Sequence, residues 1–355
     1  MDETCADNTA VLAGDIGGTK ARIGWFRRGE DRPEPLAIQT YASREAEGIE
    51  EILADFIERH RFSGQRACFG IAGPVRNGAC RPTHLSWEVS AARIRQRFGW
   101  KSVCLINDLE ATALAVPLLQ DDERRGLNSA SIQVRSTMGV IAPGTGLGQA
   151  ILVPDRDRWI PVSTEGGHAD FAPANEEQVD LWRYLRSRHG HVSLERVLSG
   201  AGLVNIYAWL KNLRAISEPP WLVQALLEND PAGVISCAAL EERHEPCVRA
   251  LNAFVSIFGS AAGNLALMAG ATGGIYLGGG IVPRILPALQ QGLFMEAFFA
   301  KGRFKNYLEA IPVYAILNDQ AALLGAAACA FRDAEQPVSC ESAAEIFRDA
   351  AIRRP

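Results

Sequence analysis

The chain has 355 residues and a mass of 38.4 kDa, a length that predicts two domains. Apolar residues make up 48% and charged residues 22%, so the sequence is that of a globular chain and not of a disordered one. Lys and Arg number 36 against 41 Asp and Glu; the net charge of -5 argues against a nucleic-acid or anionic-membrane partner, because phosphate surfaces are met by clustered excess cations.

In chain order, the first ten residues, MDETCADNTA, are acidic and lack an apolar signal-peptide core, so the expected setting is a reducing cytoplasm. The eight cysteines form no C-x-x-C pair, which argues against a zinc ribbon or a thioredoxin-like centre; Cys68 and Cys104 lie in apolar runs and read as buried thiols. Residues 11–16 and 20–26 are strands around the turn Gly17-Gly18-Thr19, so the chain opens with a hairpin and not a strand–helix unit. Apolar spacing predicts a helix over 46–60. A strand at 67–72, a helix at 89–98, a buried strand at 102–106 and a helix at 109–116 follow.

The pattern then restarts with a strand at 138–142, the turn Gly144-Thr145-Gly146-Leu147-Gly148 and a strand at 149–153. Helices are predicted at 177–188, 193–197, 203–210, 219–227 and from 238 onward. Residues 250–283 carry no charge and are long enough to span a bilayer. Asn252, Asn264 and eight glycines favour instead a buried helix over 251–269 and a buried strand, Gly274–Leu277. A helix over 283–290, a strand over 311–316 and a helix over 320–331 complete the pattern, before a polar tail with one weak amphipathic helix near 342–351. Region 228–245 is acidic and reads as solvated surface. Strand–helix alternation gives an α/β class, and the repeated strand–Gly-turn–strand unit predicts two halves built on one plan around a cleft.

The 33 glycines cluster where chemistry is expected. In Gly14-Asp15-Ile16-Gly17-Gly18-Thr19, backbone N–H groups without neighbouring Cβ atoms can approach a phosphate, Thr19 adds a donor, and Asp15 can hold Mg²⁺ directly or through water. The stretch is not a Walker A loop, and an ordinary hairpin turn accounts for it equally well. Gly144-Thr145-Gly146-Leu147-Gly148 is G-x-G-x-G followed by a strand, which argues against a dinucleotide site and favours a second phosphate turn. Asn107-Asp108 sits where a strand meets a helix, a place for ligands in α/β sheets and equally for a helix N-cap. Glu165 and His168, in Glu165-Gly166-Gly167-His168, can accept from and donate to polyol hydroxyls, and too few ligands lie nearby for a metal. Glu195, before Leu198-Ser199-Gly200, and Gly278-Gly279-Gly280, after a strand, are the remaining candidates.

Together these residues resemble the bacterial glucokinase family, of the actin-like (ribonuclease H-like) sugar-kinase group. The resemblance runs from about residue 11 to 331 and rests on GDIGGTKAR, LINDLEATALAVP, PGTGLGQAIL, EGGHADFAP, ERVLSGAGLVNIY, GGIVPR, KGRFKNY and IPVY. It implies two actin-like α/β domains flanking a ligand cleft: a small one from 1–117 plus about 318–331, a large one over 118–317, and a tail, 332–355, without assigned role. It also implies ATP-dependent phosphorylation of glucose. Asp108 would be the catalytic base, and Asn107, Glu165, His168 and Glu195 would hold the sugar. Gly14, Asp15, Ile16, Gly17, Gly18 and Thr19, with Gly144, Thr145 and Gly146, would face phosphates and Mg²⁺, and Gly278 and Gly279 the adenosine. It further implies a homodimer, in keeping with the cytoplasmic setting and the lack of nucleic-acid or membrane partners expected from charge and composition.

Two departures stand out. Lys20 occupies a position where this family more often has Asn and the related repressor/ORF/kinase (ROK) proteins have Lys. Those relatives carry a cysteine-rich zinc motif after the His; here ADFAPANEEQ follows His168, so no structural zinc is expected. His84 stands where the family usually shows Asn beside the sugar. A ROK-type repressor is not expected, because ten residues before the first hairpin leave no room for a helix-turn-helix.

Overall fold

Two hairpins rich in buried apolar residues, each followed by strand and helix elements, organise the chain into two α/β bodies. The structure, a computed structural model, describes residues 10–82, 85–214 and 217–332. His84 and the weak helix near 342–351 lie outside the described residues. One compact unit takes in the described residues up to Leu119, Ile160–Ser163 and those from Asn318; the other takes Gln120–Trp159 and Thr164–Leu317.

In the first unit, β1 (Ala10–Ile16), β2 (Lys20–Arg28) and β3 (Pro33–Ala42) form an antiparallel meander. Helix α1 (Ile49–His60) leads to β4 (Arg66–Ile71), and the short pair β5 (Ala79–Cys80) and β6 (Val89–Ser90) precedes α2 (Ala91–Phe98). Strand β7 (Ser102–Asn107) then runs into α3 (Asp108–Ala115). The sheet order is β3-β2-β1-β4-β7, with β4 parallel to both β1 and β7. Leu12, Ile16, Ile23, Phe56 and Phe69 form its core, each withdrawn from water. Helix α12 (Ala321–Arg332) belongs to this unit and packs on β1, β4 and α3.

The second unit opens with the short β8 (Arg124–Gly126), then β9 (Met138–Pro143) and β10 (Leu147–Asp155); β11 (Arg158–Thr164) joins the same sheet, although its residues Ile160–Ser163 group with the first unit. Helices α4 (Glu176–His189), α5 (Gly200–Arg214), α6 (Pro220–Glu228), α7 (Pro231–Leu240) and α8 (Glu245–Ala269) precede β12 (Gly274–Leu277). The short helices α9 (Leu286–Leu289), α10 (Leu293–Phe299) and α11 (Lys305–Glu309) lead to β13 (Val313–Ile316). The order β11-β10-β9-β12-β13-β8 repeats the plan of the first sheet, with β8 added at one edge. The long uncharged helix α8 is a core element. Phe254 and Phe258 are fully buried, and Phe258 packs edge-on against Phe294 of α10 with centroids 5.3 Å apart.

Several elements differ from the sequence reading. Strands β3 and β11 are unforeseen; both lie at sheet edges, where Pro33, Pro35 and Pro161 are tolerated because one side of the backbone needs no ladder partner. The second turn is tighter than expected, since β10 already begins at Leu147. The helix expected from 238 onward is two helices. Glu242 adopts a left-handed φ of 53°, and Pro246 restarts the chain in the first turn of α8. Only Leu286–Leu289 of the predicted 283–290 segment is α-helical, and Leu194–Arg196 is a single 3₁₀ turn.

Candidate active site

The first unit brings Asp15, Asn107 and Asp108 to the carboxyl ends of its parallel strands. Asp15 pairs in register with Gly70 of β4, and Ile71 pairs with Asn107 of β7, so β1, β4 and β7 end together. Turning into a helix at these strand ends requires a cap, and Asn107 supplies it. Its Oδ1 accepts from the Leu109 N–H at 2.9 Å, its Nδ2 donates to the Gly73 carbonyl at 3.2 Å, and the Glu110 carboxylate accepts from its N–H at 3.0 Å. The capping reading of Asn107 is therefore realised. The same box orients Asp108 as the first residue of α3, where its Oδ1 also accepts from the Leu109 N–H at 3.0 Å.

Both acids are half-buried, and both titrate high. The Asp108 carboxyl is raised from 3.8 to about 6, by burial first and then by the nearby Asp15 charge, with the Leu109 N–H partly offsetting both. Asp15 is likewise pushed up to about 6, by burial first, with the Arg22 guanidinium lowering it and Asp319 raising it. Arg22 and Asp319 were not singled out from the sequence. Arg22 was within reach of the hairpin argument, since a tight turn after Ile16 puts it opposite Asp15 in register. Asp319, joined to Arg22 by an ion pair of 2.6 Å, comes from the far end of the chain and left no local signal.

The turn after Asp15 closes on itself: the Gly17 N–H donates to the Lys20 carbonyl at 2.9 Å. Gly14 and Ile16 lie inside the sheet, and a Cβ at Gly14 would meet the Phe69 ring at 2.4 Å. Gly14 therefore serves packing. Gly18 is half-buried, whereas Thr19 and Lys20 are exposed.

In the second unit, the turn at Gly144-Thr145-Gly146 is the hub on which the other glycine motifs converge. It closes one residue tighter than the first turn, with the Gly144 N–H donating to the Gly146 carbonyl at 2.8 Å. Glu195 reaches it from the 3₁₀ turn Leu194–Arg196, and its Oε2 accepts from the Leu147 N–H at 2.9 Å. Gly167, between Glu165 and His168, comes so close that a Cβ there would stand 2.0 Å from the Leu147 carbonyl oxygen. Gly279, with φ of +84°, passes equally close: a Cβ would meet the Pro143 oxygen at 2.4 Å. The Gly278 N–H donates to the Ile141 carbonyl at 2.9 Å, and the Gly200 N–H to that of Gly144 at 2.9 Å. Glu165 and His168 are exposed on either side of the buried Gly167, so both side chains remain open to a ligand.

Each unit thus carries a glycine-turned hairpin, the first with a raised-pKa carboxylate at a strand end and the second with Glu195 bonded at its turn and Glu165 and His168 exposed. A model of the glucokinase family matches residues 12–333. A glucokinase of Nostoc punctiforme is 38% identical over 91% of this chain and 99% of its own length. Among solved structures, a glucokinase from an Antarctic psychrotroph superposes with a TM-score of 0.82 at 32% identity, covering 91% of this chain and 99% of that one. A ROK-family glucokinase from Streptomyces griseus, solved with glucose and AMPPNP, shares the fold at a TM-score of 0.60 and 22% identity, over 91% of this chain and 99% of that one. The family match takes in every motif built above, in both units, and the doubled actin-like α/β plan agrees with it: the chain belongs to the glucokinase family.

Proposed function

We propose that the chain transfers the γ-phosphoryl group of ATP to O6 of D-glucose, with Asp108 as the general base. The observation that carries this reading is the placement of Asp108: a carboxylate at the end of β7, held by a capping box, with its pKa brought up to about 6. Phosphoryl transfer is chiefly positioning and charge stabilisation, and a single acceptor for the hydroxyl proton is what the protein must add. Asp108 accepts the O6 proton as that oxygen attacks the γ-phosphorus, and ADP leaves. A base tuned towards neutrality takes the proton with more driving force than an ordinary aspartate while remaining ionised at pH 7.

Glu165, His168 and Glu195 hydrogen-bond the sugar hydroxyls in this reading, with Asn107 supporting from the cap. Because turn closure uses the N–H of Gly17 and of Gly144, phosphate contacts fall to Gly18 and Thr19 in one unit and to Thr145 and Gly146 in the other. Gly278 and Gly279 present flat backbone to the adenosine. Asp15 suits Mg²⁺: burial and the Asp319 charge disfavour its ionised form, and a hard cation would relieve this. With Mg²⁺ held there, the phosphate charge would be neutralised. Lys20, exposed at the same turn, adds a cation for the phosphates. The enzyme is assigned to the cytoplasm, as a homodimer without nucleic-acid or membrane partners; family membership supports this, and sedimentation tests the dimer.

A coupled assay should show glucose 6-phosphate formed from glucose and ATP, and Asp108→Asn should lower kcat at least about 10²-fold, the low end for loss of a general base. Near-normal turnover by that variant would refute the assignment. A panel of mannose, fructose and N-acetylglucosamine, each with ATP, ADP and polyphosphate, tests substrate and donor choice.

A further inference from the structure

Cys68, Cys104 and Cys329 converge in the first unit although they lie 36 and 225 positions apart in the sequence. Cys68 and Cys104 are direct register partners on the parallel strands β4 and β7, so their side chains leave the same face of the sheet. Helix α12 lies on β4 and brings Cys329 to the pair. The three Sγ atoms lie within 4.8 Å of one another, and all three residues are buried. Among the described residues, no other set of three or more His, Cys, Asp or Glu side chains meets in this way. Arg332, one helical turn beyond Cys329, places its positive charge beside the trio, and the Cys104 thiol donates to the Leu105 carbonyl at 3.9 Å.

We propose that Cys68, Cys104 and Cys329 form a buried three-thiolate site for a thiophilic d¹⁰ metal ion. Soft sulfur donors select copper(I) and zinc(II) over hard cations. At a metal–sulfur distance of about 2.3 Å, three sulfurs around one ion stand about 4.0 Å apart, so the observed spacing requires the thiols to draw in by less than about 1 Å. The donor number matches three-coordinate copper(I); zinc(II) would add a fourth donor to reach its usual tetrahedron. Three thiolates around a cation leave net negative charge, and the Arg332 guanidinium is the counter-charge beside it. Burial keeps water and hard ligands out. The ion would join α12 to β4 and β7, the strand that delivers Asn107 and Asp108 to the strand ends. This site is separate in sequence from the stretch after His168, where related kinases carry their zinc cysteines.

The test uses the full-length reduced chain with Cys5, Cys237 and Cys340 replaced by Ser, which removes the exposed Cys237 and the two cysteines outside the described residues. Copper(I) and zinc(II) are offered separately under anaerobic conditions, to the folded protein and during expression, and metal per chain is measured after desalting. One ion per chain, a sulfur-to-metal charge-transfer band for copper(I), and a melting midpoint raised by a few degrees are expected. Adding Cys68→Ser or Cys329→Ser should weaken binding by more than about 100-fold, beyond what loss of a merely supporting neighbour produces. Copper(I) binding identifies a three-coordinate site and zinc(II) binding one that recruits a fourth donor; either upholds the trio. If neither ion is retained by either route, or if retention is unchanged in Cys68→Ser and Cys329→Ser, the proposal is wrong. Circular dichroism of each variant without metal separates lost ligands from lost fold.

Discussion

Two carboxylates show how a single residue can serve chemistry at the expense of stability. Asp108 and Asp15 both titrate near 6 in the folded chain, above the ordinary 3.8, because burial disfavours their charges first, with Asp15 adding repulsion at Asp108 and Asp319 at Asp15. Folding therefore favours their protonated forms: the associated stability is present below about pH 4 and is lost as pH rises through about 6. Asn at position 108 carries no charge at any pH. Asp108→Asn is thus expected to be more stable than the parent at pH 7.5, by up to about 3 kcal/mol in urea denaturation, the equivalent of the gap between 3.8 and about 6. The same variant should be the least active, and equal stability at pH 7.5 would count against the raised value. In the parent, kcat/KM should fall on the acid side with an apparent pKa near 6, a value belonging to the coupled pair and not to Asp108 alone.

Elements meet in this chain through small residues. On α12, a Cβ at Gly325 would lie 1.7 Å from the Ala111 carbonyl oxygen of α3. Two effects oppose each other in Gly325→Ala. Helix propensity favours Ala by about 0.5–1 kcal/mol, whereas an inserted methyl in a packed contact costs about 1–3 kcal/mol or more. The obstacle is backbone and cannot rotate away, so the second effect wins. Gly325→Ala should lower the stability of the first unit by at least about 2 kcal/mol in chemical denaturation. A neutral result would mean that the helices separate without cost. At this scale much was legible beforehand. The hairpin around Gly17-Gly18-Thr19 and the strand Gly274–Leu277 follow directly from apolar runs and turn glycines. The edge strands β3 and β11 were not legible, because their prolines mark them as loops until a sheet places them at its margin.

At the scale of the molecule, the last described helix completes the first unit. Leu323, Ala326, Ala327 and Cys329 of α12 are buried there, on strands and a helix from the opposite end of the sequence. A chain ending at Leu317 should therefore lose amide protection in β1, β4 and β7, while the core around Phe254, Phe258 and Phe294 keeps its own. Hydrogen exchange reads this directly, and retained protection in β4 would show that α12 is dispensable. The sequence by itself determined the class, the doubled hairpin plan and the family, because these depend on local periodicity, turn chemistry and long motifs. It also marked Asp108, Glu165, His168 and Glu195 as residues of interest. Only the tertiary structure decided what surrounds them: that Glu195 holds the Leu147 N–H, that Arg22 and Asp319 set the field at Asp15, and that three distant cysteines share one buried point. The reason is physical. Turns and amphipathic faces are set by neighbours along the chain, whereas pKa shifts and side-chain clusters are set by burial and by groups that only folding brings within a few ångströms.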